Sequence, residues 1–306
     1  MKILITGASG WLGRNTIKYF LSKNIPLSDL ILIGSKHRIE QIEKNMEVNI
    51  VTFSDIQKYI KNESIDGIIH LAYLTRDHSG LNLDSYIKTN IELTSTIEKI
   101  LQVHKPKWMV YVSSGAIYSN YSSEIIEQDI VSNPYGFLKY KDEVKFRDLC
   151  NEFGINLTIG RLWGATGNDF IHAKKYAIGE FIINALISRN IFIKSNFNVF
   201  RTYCDSEQFI QICIESAIKN KFTLFDSNGE IIEVQELAIR IKNLLQPKIE
   251  IIREKLDSNL YVDDYYARNN TFFSLANDLQ IKLLSLDEQI FKTSGYIKKN
   301  LDLFTN

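Results

Sequence analysis

The feature that most constrains this chain is a glycine-rich turn, Thr6-Gly7-Ala8-Ser9-Gly10-Trp11-Leu12-Gly13, set between an apolar run and an amphipathic one. Residues 3–6 read as a strand and residues 11–23 as a helix. In that context each glycine has a distinct task. Gly7 permits a tight turn, Gly10 lets a pyrophosphate approach the backbone, and Gly13 lets the helix pack closely on the strand. The first turn of the helix offers backbone N–H groups and a positive dipole end. The turn therefore predicts a dinucleotide held at Gly7, Ser9, Gly10, Trp11, Leu12 and Gly13.

The pattern continues downstream. Residues 30–33, 48–53, 67–71, 108–113 and 156–161 read as strands. Residues 39–44, 56–61, 83–104 and 136–153 read as helices between them. Strands that are unbroken apolar runs are buried on both faces, and the alternation implies a parallel sheet. Right-handed crossovers make that sheet doubly wound. The regularity weakens after Arg161. A loop over 163–169 is followed by helices at 173–188, 205–218, 233–245 and 286–301. Strands are expected near Val199 and at 222–225 and 250–252, and Asp263-Asp264-Tyr265-Tyr266 reads as a surface loop. At 306 residues the chain suits one main domain, 1–162, and a smaller lobe, 163–306, parts of which return to the sheet.

The end of the second strand bears on the choice of dinucleotide, because an acid there hydrogen-bonds the ribose 2′-hydroxyl. This chain has Gly34-Ser35-Lys36-His37-Arg38, with no acid. Ser35, Lys36 and Arg38 suit a 2′-phosphate through charge-assisted bonds, so NADP is expected ahead of NAD. A solvated basic turn is the alternative. Further on, Tyr135-Gly136-Phe137-Leu138-Lys139 places Tyr135 and Lys139 on one face at the start of a helix. A nearby ammonium favours the phenolate. Ser114 closes the strand that leads into that helix. Alone the Tyr-Lys spacing is weak, since the chain has 15 tyrosines.

With these residues together, the chain resembles the extended short-chain dehydrogenase/reductase family, in its nucleotide-sugar epimerase/reductase branch, over nearly its whole length. Thr6 to Gly13 matches the family's TGxxGxxG. Asp55-Ile56 is similar to the pair that contacts adenine, and His70-Leu71-Ala72 to the strand end beside the cofactor. Asn90 matches the asparagine of the long helix. Ser114, Tyr135 and Lys139 match the catalytic trio. Arg161-Leu162-Trp163-Gly164 resembles the RxFN segment, and Arg201-Thr202-Tyr203 the RxY segment beside the substrate diphosphate. The resemblance implies a Rossmann fold with a C-terminal substrate-binding lobe. It implies Tyr135 as general acid/base, Lys139 holding the nicotinamide ribose, and Ser114 on the substrate oxygen. It also implies cofactor contacts from Leu71, Ala72, Tyr73 and Asn90, substrate contacts from Arg161 and Arg201, and a homodimer, while Thr75 is a candidate substrate contact because it follows Ala72 closely enough to touch a sugar.

Departures narrow the reaction. The family's dehydratases carry Thr-Asp-Glu where this chain has Ser113-Ser114-Gly115, which argues against 4,6-dehydration. Gly164 replaces the asparagine of RxFN, and Tyr73 stands where a small residue is common, which narrows the pocket beside the nicotinamide. Arg161 reads equally as a core ion-pair partner, and Arg76, Asp77 and His78 receive no role. The expected activity is NADPH-dependent reduction of a keto-sugar nucleotide of the 4-keto-6-deoxy type. The alternative is a nucleotide-sugar epimerase with bound NAD.

Composition excludes other classes. Lys plus Arg is 36 and Asp plus Glu is 36, so net charge gives no case for nucleic acid or an anionic membrane. There is no run of 18 apolar residues, and the N-terminus passes at once into the strand and turn, so neither a membrane span nor a signal peptide is expected. The three cysteines form no CxxC pair and read as reduced thiols of a cytoplasmic protein. The five histidines show no metal spacing, so no metal is expected.

Overall fold

The computed structural model describes residues 1–43, 46–75, 80–118, 130–257 and 261–305. Arg76, Asp77 and His78 lie outside the described residues. The chain forms two compact units. The division falls between Leu162 and Trp163, and Ile210–Phe225 belongs with the first unit.

The first unit is built on an eight-stranded sheet in the order β12-β7-β6-β5-β1-β2-β4-β3. Its strands are β1 (Ile3–Thr6), β2 (Leu30–Gly34), β3 (Arg38–Glu43), β4 (Met46–Thr52), β5 (Gly67–His70), β6 (Trp108–Ser114), β7 (Asn156–Leu162) and β12 (Phe222–Asp226). From β1 the chain builds outward through β2 and β4, then returns to the other side of β1 and builds through β5, β6 and β7. The order therefore reverses between β1 and β5, and a crevice opens beyond the carboxyl ends of those two strands. Thr6 and His70 are register partners at that point. Ser114 ends β6 opposite Leu162 of β7.

The helices of this unit are α1 (Trp11–Ser22), α2 (Ile56–Ile60), α3 (Leu83–His104) and α4 (Pro134–Phe153), with the later part of α6 (Ser206–Lys219). Helices α2, α3 and α4 share one core with the sheet, in which Ile56, Ile60, Ile97, Ile100, Leu101 and Phe146 meet Leu4, Ile68, Met109 and Ile159. Burying each such side chain contributes about 1.5–3 kcal/mol. The ends of α4 are written in its sequence. The Asn133 side chain accepts from Gly136 N, Pro134 fills the first turn, and Gly154 closes the helix in the left-handed region at φ 68°.

One element differs from expectation. Residues 39–44 were expected to be a short helix, but Arg38–Glu43 forms β3, an edge strand antiparallel to β4 with a bulge between Gln41 and Glu43. Ile39 is 70% exposed while Ile42 is buried, so the spacing that mimics a helix turn is a half-buried edge strand disturbed by its bulge. Its charged residues blunt an otherwise open edge.

The second unit packs α5 (Ala177–Leu186), α7 (Val234–Leu245), α8 (Thr271–Asp278) and α9 (Leu286–Lys299) with short sheets. Strand β8 (Ala165–Thr166) pairs with β11 (Cys204–Asp205), and β9 (Ile191–Ile193) with β14 (Ile251–Arg253). Strand β10 (Val199–Arg201) lies between β13 (Ile232–Glu233) and β15 (Asp263–Tyr265). The expected surface loop at Asp263 is thus a strand, parallel to β10, and the Arg201–Asp263 ion pair joins the same two segments. Among the described residues no helix is long and apolar enough to cross a membrane. Cys150, Cys204 and Cys213 are buried thiols outside any disulfide.

Helix α4 is tied to β7 by a buried ion pair. Arg161 donates through Nε and Nη2 to both oxygens of Glu143, at 3.0 and 2.7 Å. Both side chains are under a tenth exposed. Glu143→Gln removes the compensating charge, and a loss of about 3–5 kcal/mol in urea unfolding is expected. Replacing both partners with leucine should cost much less. A loss below about 1 kcal/mol for Glu143→Gln would remove this pair from the account of how α4 is held.

Candidate active site

The turn after β1 is shaped by contacts that a side chain would destroy. Gly7 turns at φ 70°. A Cβ on Gly13 would lie 2.2 Å from the Gly7 carbonyl oxygen and 2.6 Å from Ala8 Cα, so α1 approaches β1 as only glycine allows. Gly10 is the N-cap of α1, and no side chain caps the first turn. A Cβ there would meet only the Gly7 oxygen, at 3.2 Å. The first turn, with Trp11, Leu12 and Gly13, thus forms a backbone cradle at the topological switch, and it fits a pyrophosphate. Ser9 sits beside the end of β2, its hydroxyl 3.5 Å from where a Gly34 Cβ would stand.

Beyond β2 the residues differ in how free they are. Ser35 and Lys36 are exposed. Arg38 pairs with Glu40 at 2.9 Å, and Arg14 of α1 pairs with the same carboxylate at 2.9 Å. Glu40, on edge strand β3 opposite Val48 of β4, therefore stands between two guanidinium groups, an acid outside the 34–38 segment that the motif reading covered. It lies on the strand read as a helix. Asp55 takes hydrogen bonds from Lys58 and Thr52, which hold its carboxyl below the usual range, and Ile56 is buried behind it.

At the other side of the switch, the Thr6 hydroxyl accepts from Leu71 N and Ala72 N, each at 3.2 Å. Its own proton therefore goes to His70 Nδ1, 2.7 Å away, and the His70 proton sits on Nε2. Burial and then the Lys139 charge push His70 down to about 3, so the ring is neutral. Two residues on, Leu74 is held by Asn90 of α3, whose side chain accepts from Leu74 N at 2.9 Å and donates to Leu74 O at 3.3 Å. The side chain expected beside the cofactor is thus used to pin the segment that follows β5. Thr75 lies half-buried at the end of that segment.

Three contacts hold the end of β6, which carries Ser114, and the start of α4, which carries Tyr135 and Lys139. The Ser114 hydroxyl accepts from Ala116 N at 3.1 Å. Asn133 donates to Ala116 O at 2.7 Å, which lashes the start of α4 to the turn after β6. A Cβ on Gly136 would stand 2.0 Å from that same carbonyl oxygen, so glycine beside Tyr135 is what permits the approach. One turn later Lys139 donates to Val112 O of β6 at 2.8 Å. Its ammonium lies 4.0 Å from the Tyr73 ring centre and 4.7 Å from that of Tyr111. Burial lowers Lys139 to about 8, against the pull of Asp142 and Glu143.

Sequence reasoning missed the polar group beneath this site. Asp142 is buried, taking hydrogen bonds from Thr94 of α3 at 2.9 Å and Tyr111 of β6 at 3.0 Å. Burial raises it to about 6, with Lys139 and the two hydrogen bonds opposing. Its signal was available: Asp142 and Glu143 lie three and four positions after Lys139, on the face that α4 turns to the sheet.

The expected substrate residues are already engaged. Arg161 is held by Glu143 and donates to the Tyr118 hydroxyl. Arg201, in the second unit, donates to Asp263 Oδ2 at 2.7 Å and to backbone oxygens of Phe200 and Asp263. Its guanidinium lies 5.7 Å from the Tyr265 ring, which also packs on Trp163. Among the described residues no group of His, Cys, Asp and Glu is arranged to hold a metal ion.

Comparison with known proteins shows the family and the fold. The model of the NAD dependent epimerase/dehydratase family matches residues 3–221. D-erythronate dehydrogenase of Haemophilus influenzae is 28% identical over 173 residues, 53% of this chain and 54% of that protein. UDP-glucose 4-epimerase of Dictyostelium discoideum is 26% identical over 162 residues, 49% of this chain and 47% of that protein. The chain spans about half the length of these curated relatives. The solved UDP-glucose 4-epimerase with UDP-glucose from Thermotoga maritima is alike in fold, with a TM-score of 0.78 at 17% identity, over 98% of this chain and 100% of that one.

Asp142 gives the site a pH signature. The folded chain binds its proton more tightly than the unfolded chain, whose value is near 3.8. Its contribution therefore favours the fold at low pH and is lost as pH rises through about 6. Against Asp142→Asn, the wild type should lose on the order of 2–3 kcal/mol between pH 4 and pH 7 in urea unfolding. Parallel stability curves for the two proteins would contradict a buried, proton-retaining Asp142.

Proposed function

Because the chain belongs to the NAD dependent epimerase/dehydratase family, we propose that it moves hydride between a nicotinamide dinucleotide and a carbon of a nucleotide sugar. Tyr135 serves as general acid/base in this reading. The observation that carries it is the buried Lys139 ammonium one turn from Tyr135, tied to the strand that Ser114 ends. In this reading Gly7, Ser9, Gly10, Trp11, Leu12 and Gly13 hold the pyrophosphate, and Asp55 and Ile56 flank the adenine. Leu71, Ala72 and Tyr73 line the nicotinamide side. The dinucleotide, when bound, supplies the hydride donor or acceptor.

The chain's own residues handle the proton. Ser114 donates a hydrogen bond to the substrate oxygen and orients it. The Lys139 charge favours the Tyr135 phenolate, which suits the phenol to give up and take back a proton. Reduction of a carbonyl takes a proton from Tyr135, and oxidation of a hydroxyl returns one. Arg201 serves a substrate phosphate once it leaves Asp263. Thr75 lies on the substrate side. Arg161 contributes through the placement of α4, since Glu143 occupies its guanidinium.

Two versions of the reaction share this machinery. NADPH-dependent reduction of a 4-keto-6-deoxy sugar nucleotide draws support from the missing acid at residues 34–38 and from exposed Ser35 and Lys36, with Arg38 beside them. Epimerisation with bound NAD draws support from Glu40, a carboxylate that already engages Arg38 and Arg14. A cytoplasmic homodimer accompanies either version.

The deciding experiment releases the dinucleotide from protein purified without added cofactor and identifies it. Stoichiometric NAD supports the epimerase version. An empty site that binds NADPH more tightly than NADH supports the reductase. Failure to bind either dinucleotide overturns the proposal. Tyr135→Phe should retain dinucleotide binding and lose turnover by a factor on the order of 10² or more. Turnover near the wild-type rate in that variant contradicts the role given to Tyr135.

A further inference from the structure

Tyr73 occupies a place that neither the glycine turn nor the Ser114, Tyr135 and Lys139 set accounts for. Its ring stands 4.0 Å from the Lys139 ammonium. It also meets the Tyr135 ring edge-on, with centroids 5.4 Å apart and planes at 85°. The segment that carries it is pinned on both sides. The Thr6 hydroxyl of β1 holds Leu71 N and Ala72 N, and Asn90 of α3 holds both backbone polar groups of Leu74. Two elements distant in sequence thus fix one aromatic ring against both residues.

We propose that Tyr73 is a positioning residue that holds the Lys139 ammonium in its charged, site-facing place through the face of its ring and braces the Tyr135 ring beside it. The proposal deepens the reading of this site as one for dinucleotide-linked oxidation and reduction, and it rests on that reading for its consequence. The physical reason is desolvation. The ammonium donates to Val112 O, which satisfies one of its three protons. An aromatic face offers negative electrostatic potential without water, and the attraction strengthens where water is excluded. Tyr111 supplies a second, more distant ring from β6.

The other groups around Lys139 are distinct in kind. Asp142 and Glu143 on α4 attract its charge, each already engaged, by Thr94 and Tyr111 and by Arg161 respectively. His70 on β5 is neutral. Tyr135 shares the α4 face. Tyr86 of α3 lies behind Tyr73. The Tyr73 hydroxyl is itself buried, and burial pushes its ionisation up, so the ring acts on Lys139 as a neutral aromatic.

The test reads Lys139 directly. Protein labelled with ¹³C at the lysine ε-carbon is titrated by NMR, and the Lys139 signal is identified by its disappearance in Lys139→Arg. Tyr73→Phe keeps the ring and should leave the Lys139 titration where the wild type has it. Tyr73→Leu keeps bulk but removes the π face, and should move the titration down by about one pH unit or more. A series of increasingly fluorinated phenylalanines at position 73 keeps the shape while draining the ring face, which guards against a leucine variant that fails to fold. The Lys139 titration should fall steadily along that series. A titration that stays put across the series, or that moves as far in Tyr73→Phe as in Tyr73→Leu, overturns the proposal. This measurement needs neither dinucleotide nor substrate, so its failure is distinct from failure of the oxidoreductase reading. The functional arm follows the pH dependence of dinucleotide binding, whose alkaline limb should move down with the Lys139 titration. A limb unmoved while Lys139 shifts overturns the assignment of Tyr73 to the site.

Discussion

The structure around the site depends on one buried ammonium. Lys139 carries its charge into the interface between α4 and the sheet, where water is not available to solvate it. Every contact that compensates also joins two parts of the first unit. Val112 O ties α4 to the middle of β6. Asp142, drawn to the same charge, reaches Thr94 of α3 and Tyr111 of β6. Glu143 engages Arg161 of β7. A charge in this place would be costly if left alone, and its cost is what makes the surrounding network specific. Charged residues on the inner face of α4 are therefore structural and chemical at once.

The crevice beyond the sheet has two ends with different physics. At β1 the ligand environment is backbone: a tight turn, a close helix and an uncapped first turn, which suit phosphate charge without any cationic side chain. At β6 it is side chain: a hydroxyl, a phenol and a low-lying ammonium. The strand order puts the β1 turn at the reversal between β1 and β5 and the end of β6 one strand further on, beyond β5. Thr6 links the two ends, because its hydroxyl closes β1 and fixes the start of the segment after β5.

The cationic side chains that a phosphate reader would notice first are mostly committed. Arg161 belongs to Glu143, Arg38 and Arg14 share Glu40, and Arg201 belongs to Asp263. The degree of burial separates them. The Arg161 pair is sealed in the interior, where exchanging one anion for another would strand a buried carboxylate. The Arg38 and Arg201 pairs are partly exposed, and such pairs are weak enough to reopen for a ligand with more charge than a carboxylate.

The sequence by itself determined what depends on neighbours a few positions apart. The glycine turn fixed β1 and α1, since a positive φ and a close helix admit no side chain. Unbroken apolar strands alternating with helices fixed the parallel sheet. A spacing of four put Tyr135 and Lys139 on one helical face. Tertiary structure alone decided what depends on a distant partner. Arg38–Glu43 became a strand because β4 offered it an edge, and Asp263–Tyr265 joined a sheet because β10 offered it a parallel partner. Arg161 turned to Glu143, Asn90 turned to Leu74, and Tyr73 came to lie on Lys139 through contacts made by β1 and α3. Local periodicity reports which way a side chain faces along its own element. Whether it meets water, an opposite charge or an aromatic ring is set by the packing of elements that are remote in the chain.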